Sequence, residues 1–455
     1  MKAVSSALTA TVVVALACAA IAPGGARAQQ MATDSFDRAA YDTIVAADSA
    51  ETIPDGTRIT AHNWQQYQKF MSLALRAFFN GKYFFHIDNP DDFYIETGPT
   101  RPLPPPREYQ QDTEKYSDQT KLVPMGNEGA YTVKGYIAGQ PFPQPTDPNK
   151  AEKILYDAYY QYAPAVLWNY WPGYQMDKYM NLAPGVSQII YFNLAHSSDP
   201  GFPQANPAGK GYFYSEWVQQ LLPEQSKYQT ALILLPDDPS RGQEVYVFLP
   251  SLRRSLRLSA SARCAPIAGT DWANDDSRDG MNRIPTQFRV DLIGDKKILA
   301  LVHEDGMLRA DPKNFYTGHS SPFHKEITGK WELRDVWVID EIPLPSLING
   351  YCYSHDIFYI DKELYAVLQN EYYDRSGKLW KVQFSNRTQG PVHGFKEDRI
   401  NIPAGDEPVW IYDLQNSHMS YSYPRGYTKV GQDVPEQMRD ISIYALPSGL
   451  TQIMR

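Results

Sequence analysis

The chain has 455 residues, 43% of them hydrophobic and 13% aromatic, with 32 Tyr, 18 Phe and 9 Trp, enough for one large β domain or two smaller ones. Its 52 acidic side chains outnumber 43 basic ones, for a formal charge of −9. That balance argues against nucleic acid as a partner, because phosphate binding needs clustered Lys and Arg.

Residues 1–28 read as a secretory signal peptide: Lys2 is the positive start, Ala7–Ile21 the apolar run and Ala26-Arg27-Ala28 the cleavage pattern. That run is short for a membrane span and no second long one follows, so the mature chain is expected to be secreted and not an integral helical membrane protein. Cleavage removes two cations, Lys2 and Arg27, and takes the charge from −9 to −11. The competing pattern is lipid attachment at Cys18, but Ala15-Leu16-Ala17-Cys18 has Ala where such boxes usually carry Leu. Without Cys18 only Cys264 and Cys352 remain, and two lone cysteines in an oxidising compartment predict a Cys264–Cys352 disulfide, against the alternative of two buried thiols.

Residues 29–150 are expected to form an extended and helical segment with Pro-rich loops, continuous with a large antiparallel sheet domain over 151–455. After a lead-in to Asp55, Asn63 caps a predicted helix that carries Trp64, Tyr67, Met71, Leu75 and Phe78 on one face and stops at Gly81. That stripe reads as packing against a sheet before it reads as a binding face. Gly98–Arg107, with five prolines, predicts a stiff polyproline II connector. Tyr131–Ile137 reads as a strand and Gln140–Pro148 as a second Pro-rich loop. Asn149 then caps a helix bearing Ile154, Leu155, Ala158, Tyr159 and Tyr162, ended by Pro164.

Beyond Val186 strands dominate: Ser187–Leu194, Tyr228–Leu235, Glu244–Leu249, Ser255–Leu258, Phe288–Ile293, Ile298–Val302, Trp331–Ile342 and Val409–Leu414. A short helix is expected at Glu216–Leu222, capped by Ser215. The clearest signal is a three-strand meander over Tyr351–Ile360, Tyr365–Tyr373 and Lys378–Phe384, rich in Tyr, Phe, Ile and Val and broken at Asp361–Glu363 and Asp374–Gly377. The predicted class is α+β, mainly β: one large curved antiparallel sheet packed on a few helices.

Catalytic patterns are weak. Ser354-His355-Asp356 lie on one strand, where neighbours point to opposite faces and do not converge as a triad. His303-Glu304 lacks the second His of a zinc helix, since position 307 is Met, and Gly318-His-Ser-Ser-Pro only approximates a nucleophile elbow. His319 and His324 could share a metal only with a further ligand. Asp271, Asp275, Asp276 and Asp279 offer oxygen ligands suited to calcium, but not at EF-hand spacing; a polar loop with Arg278 and Arg283 as counter-charges is the simpler account. No cofactor is expected.

Pro54–Thr60, Asn63–Tyr67, Gly135–Pro143, Ala265–Trp272 and the run from Tyr359–Lys362 to Gly377–Lys381 together resemble, in order, a bacterial periplasmic family of unknown function that is similar to outer-membrane lipoprotein-sorting proteins, the LolA/LolB-like carriers. The resemblance implies an unclosed β-barrel wrapped round a helix, with an apolar cavity for acyl chains, and a partner in an outer-membrane or efflux assembly. It carries over no catalytic residue. Strand residues expected to face such a cavity are Trp331, Leu333, Trp337 and Ile339 on one strand, Tyr246 and Phe248 on another, and Leu364, Ala366, Leu368 and Tyr372 on a third; each set either walls a cavity or fills a core. The expected function is a non-catalytic periplasmic carrier or chaperone for a lipid-like or lipoprotein ligand. An accessory module of an outer-membrane assembly and a hydrolase of apolar esters are the alternatives.

Overall fold

The computed structural model describes residues 35–80, 94–179, 181–258, 263–267, 269–303, 329–396, 400–401, 409–422 and 428–452. The N-terminal part holds two small antiparallel pairs, β1 (Arg58–Thr60) with β2 (Tyr94–Glu96) and β3 (Lys121–Met125) with β4 (Ala130–Lys134). It also holds three helices, α1 (Leu73–Phe79), α2 (Arg107–Tyr116) and α3 (Lys150–Tyr159). Strands then follow one another: β5 (Val166–Met176), β6 (Leu182–Asn193), β7 (Tyr212–Leu222), β8 (Thr230–Pro236), β9 (Glu244–Leu249), β10 (Arg254–Arg257), β11 (Phe288–Ala300) and β12 (Glu332–Pro343). After the short helix α4 (Pro345–Ile348) come β13 (Tyr353–Asp361), β14 (Val367–Asp374), β15 (Leu379–Ser385), the minor pair β16 (Gln389–Gly390) and β17 (Ile400–Asn401), β18 (Val409–Asp413), β19 (His418–Ser422), β20 (Lys429–Val430) and α5 (Ile441–Tyr444).

One antiparallel sheet runs β10-β9-β8-β7-β6-β5-β19-β18-β15-β14-β13-β12-β11, with β20 added beside β5. No ladder joins β10 to β11 among the described residues, so the sheet is open. Its curvature follows from what packs together. Ile154, Leu155, Ala158 and Tyr159 of α3 share one cluster with Leu167, Ile189, Tyr191 and Leu235 from β5–β8, and with Val290, Trp337, Ile339 and Phe358 from β11–β13. Those strand sets lie far apart in the sheet order, so only a sheet curled around α3 brings them together, and this face is concave. The convex face carries two separate clusters. One, under the 3-10 turns and α1 of the N-terminal segment, joins Tyr41, Leu75 and Phe78 to Val336, Tyr359, Val382 and Trp410. The other joins Ile190, Trp217, Leu232 and Phe248 to Val434, Ala445 and Leu450 of the C-terminal segment.

Polar contacts fix the N-terminal segment in place. Buried Glu371 accepts from Tyr41 Oη at 2.7 Å, Tyr359 Oη at 2.9 Å and the Ala74 amide at 3.0 Å, which satisfies a carboxylate that burial would otherwise leave costly. Residues 35–80 thus belong to the same core as the sheet. The disulfide joins Cys264 to Cys352, 88 residues apart, with Cα atoms 5.8 Å apart, and ties the loop after β10 to the entry of β13.

Several expectations are corrected. Glu216–Leu222 is the second half of β7, not a helix: Trp217, Val218, Leu221 and Leu222 fit either period, and ladders to β6 and β8 on both sides decide for strand. The helix from Asn63 breaks into two 3-10 turns and α1. The Asn63 side chain accepts from the Thr60 amide at 2.7 Å instead of capping, and Ser72 Oγ caps α1 through the Leu75 amide at 3.0 Å. Gly81 lies outside the described residues. The proline run stops at Pro106, directly before α2. Phe288–Ile293 and Ile298–Val302 are one strand, β11, disguised by a bulge: Leu292 pairs with Ile339 and Gly294 with Val338, leaving Ile293 as the extra residue.

Candidate functional site

The concave face has a packed part and an open part. Over β11–β19 it is covered by residues 263–267 and 269–287, whose acidic side chains all find partners on the sheet or within the segment. Asp275 receives Arg263 Nε at 2.8 Å and Tyr351 Oη at 3.1 Å. Asp276 receives Lys381 Nζ at 3.2 Å and Tyr353 Oη at 2.9 Å. Asp279 is held by Arg387 Nη2 at 2.9 Å and by Ser385, and Asp271 by His418 Nδ1 and Ser420 Oγ, both at 2.7 Å. The hydrogen bond to Asp271 raises the His418 pKa above its ordinary value. Each carboxylate is therefore engaged separately, and among the described residues no group of three His, Cys, Asp or Glu side chains is arranged to hold a metal.

The two arginines expected to neutralise this loop do other work. Arg283 donates to Glu341 at 2.7 Å and to Asp356, on β12 and β13. Arg278 donates to the Tyr159 and Met281 carbonyls at 2.9 and 3.2 Å, and its guanidinium lies 4.5 Å from the ring centre of Tyr214, 5.4 Å from Phe213 and 5.6 Å from Tyr159. Around it are two cavities of about 10 and 20 Å³, walled by Tyr136, Tyr160, His196, Tyr162, Leu167 and Tyr191 among others. Such volumes hold one water each and no chain of a ligand. The Arg278 end of the concave face is therefore closed.

From there an apolar strip leads to the free edge. Directly paired residues of an antiparallel ladder share a face, and the registers place Ile189, Val218, Ala231, Val247 and Leu256 in one row, with Tyr191, Glu216, Ile233 and Val245 in the next. Ile189 is buried, Val218, Ala231, Val245 and Val247 are half-buried, and Leu256 is exposed, so the strip opens progressively toward β10. Glu216 is the one carboxylate in these rows. Burial, opposed by Arg278, pushes its pKa up to about 7.

The residues expected to line a cavity are dispersed. Tyr246 and Phe248 face the convex side against the C-terminal segment; on β9 the concave residues are Val245 and Val247. Trp331 precedes β12, bridged in parallel to Thr97, and with Leu333 joins the convex cluster, whereas Trp337 and Ile339 lie under α3. Leu364, Ala366 and Leu368 are convex and Tyr372 concave. A bulge separates the last two: Tyr359 pairs with Gln369 but Ile360 with Val367, so Leu368 is an extra residue that breaks the alternation. Ser354 Oγ donates to the Asp374 carbonyl at 2.6 Å, His355 stacks on Phe36 at 3.9 Å with Nδ1 3.0 Å from Asp340, and Asp356 pairs with Arg283. His303 is held by Glu332 at 2.8 Å. Glu304, Met307, residues 318–322 and His324 lie outside the described residues, as do Cys18 and the rest of residues 1–34. No helix among the described residues is long and apolar enough to cross a membrane.

The solved structures that this chain matches include the following three. A putative outer membrane lipoprotein-sorting protein domain from Vibrio parahaemolyticus is 13% identical, with 64% of this chain and 95% of that one covered and a TM-score of 0.42. A DUF1329 family protein from Desulfovibrio piger is 11% identical over 66% and 100% of the two chains, with a TM-score of 0.43. A LolA superfamily protein from Nitrosomonas europaea is 15% identical over 64% and 97%, with a TM-score of 0.36. None of the curated proteins matches. The model described as "Protein of unknown function (DUF1329)" matches residues 58–444, and the chain belongs to that family.

Proposed function

We propose that the protein is a periplasmic, non-catalytic carrier or chaperone for a lipid-like or lipoprotein ligand, serving traffic to an outer-membrane partner. The observation that carries this reading is the graded apolar strip of the concave face, closed at Arg278 and open at the β10 edge. An acyl chain laid along Val218, Ala231, Val247 and Leu256 would gain about 0.8 kcal/mol per methylene removed from water, with no covalent step. The signal-like pattern of residues 1–28 and the Cys264–Cys352 bond support an oxidising compartment outside the cytoplasm.

Native mass spectrometry of the gently purified mature protein, followed by organic extraction, tests the reading. The expected result is a defined adduct that extraction releases as a lipid-like molecule. Val247→Gln places an unpaired amide on the strip and should weaken uptake from an added lipid panel about tenfold, by the cost of burying that group. A clean apo mass with no uptake from the panel would remove the carrier reading and favour an accessory role in an outer-membrane assembly.

A further inference from the structure

Three neighbouring hairpins turn at the same end of the sheet: β5–β6 through Asp177–Asn181, β7–β8 through Pro223–Gln229 and β9–β10 through Pro250–Arg253. Tyr179, Leu222, Tyr228 and Leu252 stand on or beside these tips, exposed to 70, 47, 40 and 55%, and Leu256 and Leu258 continue along the free edge at 41 and 40%. These are six of the seven exposed large apolar side chains among the described residues, so the clustering is not the ordinary scatter of surface hydrophobics. Lys178, Lys227, Arg253, Arg254 and Arg257 share the surface, against Asp177, Glu224 and, at its edge, Glu244. A chain of net charge −9 thus presents a locally cationic end.

Two of these cations lie against exposed rings, while Lys227 and Arg257 are also ion-paired with Glu224 and Glu244. Lys178 Nζ lies 5.0 Å from the Tyr179 ring centre and Lys227 Nζ 5.6 Å from that of Tyr228. Exposed Tyr and Leu beside Lys and Arg suit the boundary between lipid headgroups and acyl chains, where amphipathic rings and long cationic stems place one end in each medium. The tips form separate prongs and not a flat patch. Val186 pairs with Leu222, so β6 runs four residues, roughly 13 Å at strand rise, past the end of strand β7. A deformable headgroup layer accommodates such staggered prongs, and its anionic lipids complement their charge.

We propose that the three hairpin tips are a docking surface for an anionic lipid bilayer, with Tyr179, Leu222, Tyr228 and Leu252 entering the interface and the five cations binding headgroups. Docking there turns the hairpin end of the β9–β10 edge toward the bilayer, with Leu256, level with Val218, set back along the strip from Leu222. The surface acts whether or not the strip carries a ligand.

Co-sedimentation of the mature protein with vesicles of phosphatidylcholine, alone or mixed with phosphatidylglycerol, tests it. Binding should require phosphatidylglycerol and weaken with salt. Lys227→Glu/Arg253→Glu/Arg254→Glu should lower partitioning on the order of a hundredfold or more, since each headgroup-facing cation contributes substantially. Leu222→Ser/Tyr228→Ser/Leu252→Ser should lower it at least about tenfold through lost apolar burial. These side chains are exposed, so both variants should melt as wild type does. Equal binding to both vesicles, no binding to either, or a serine variant that binds as wild type would overturn the proposal. So would a serine variant that abolishes a dimer in sedimentation while binding vesicles normally, because the tips would then join copies of the chain. Val247→Gln separates the two proposals: it should lose lipid uptake and keep vesicle binding.

Discussion

Replacing Arg283 by Met is expected to lower stability by about 3–5 kcal/mol at neutral pH, or to prevent folding. The guanidinium is buried and donates to Glu341 and Asp356, which are buried too and face each other across the β12–β13 ladder. It also lies 5.1 Å from the Phe358 ring centre and 5.5 Å from that of Phe288, so it joins residues 263–267 and 269–287 to the concave face through charge and contact together. Met keeps much of the stem and removes the charge. Burial already raises the pKa of both carboxyls, and Arg283 opposes that rise. Without it, two adjacent buried carboxylates repel, and their pKa values climb further above those of the unfolded chain. A raised carboxyl pKa favours the folded state less as pH increases, so the deficit should be full at about pH 8 and smaller at about pH 5. Urea unfolding at both conditions measures it. The triple variant with Glu341→Gln and Asp356→Asn should recover much of the loss, because neutral partners need no counter-charge. A deficit under about 1 kcal/mol at both conditions would show that this pair does not hold the segment on the sheet.

The meander and the long strands were legible because Tyr, Phe, Ile and Val runs bounded by turn residues report pleated structure directly. The pairing of Cys264 with Cys352 was legible by count. What periodicity cannot report is which face of a strand curls inward. On β9 both faces are apolar, Val245 and Val247 on one and Tyr246 and Phe248 on the other, and the larger residues lie on the face covered by the C-terminal segment, not on the concave one. Bulges at Ile293 and Leu368 invert the alternation from within, with no sequence signature beyond an adjacent Gly294 in the first case. The acidic loop was recognisable as polar, but its partners Lys381, Arg387 and His418 lie more than a hundred residues away in sequence and are brought in only by the fold. Arg278 was legible only as a counter-charge of the acidic loop, not as the closure of the concave face, and Glu216 sat in a segment of ambiguous period.

Glu216→Gln is expected to remove a pH-dependent loss of stability of about 3 kcal/mol, from a pKa of about 7 in the folded chain against an ordinary 4.5. The carboxyl is buried on β7 between Tyr191 of β6 and Ile233 of β8, with Arg278 only partly offsetting the cost of burying its charge. Below about pH 4.5 it is protonated whether the chain is folded or not, and contributes no slope. Between about 4.5 and 7 the unfolded chain releases the proton and the folded chain keeps it, so stability falls as pH rises; above about 7 both are ionised and the loss is complete. Gln keeps the volume and cannot ionise. Urea unfolding across this range should give matching curves for the two proteins at the acid end and a variant more stable by about 3 kcal/mol at the alkaline end, the difference isolating Glu216 from other titrating groups. Parallel curves would mean that Arg278 keeps the carboxylate ionised in the folded chain. The same proton bears on the strip. A neutral Glu216 leaves the row from Tyr191 to Val245 compatible with an acyl chain, whereas a carboxylate there adds a charge that any apolar ligand must bury. Lipid uptake by the wild-type protein should therefore weaken as pH rises through about 7, and uptake by Glu216→Gln should not.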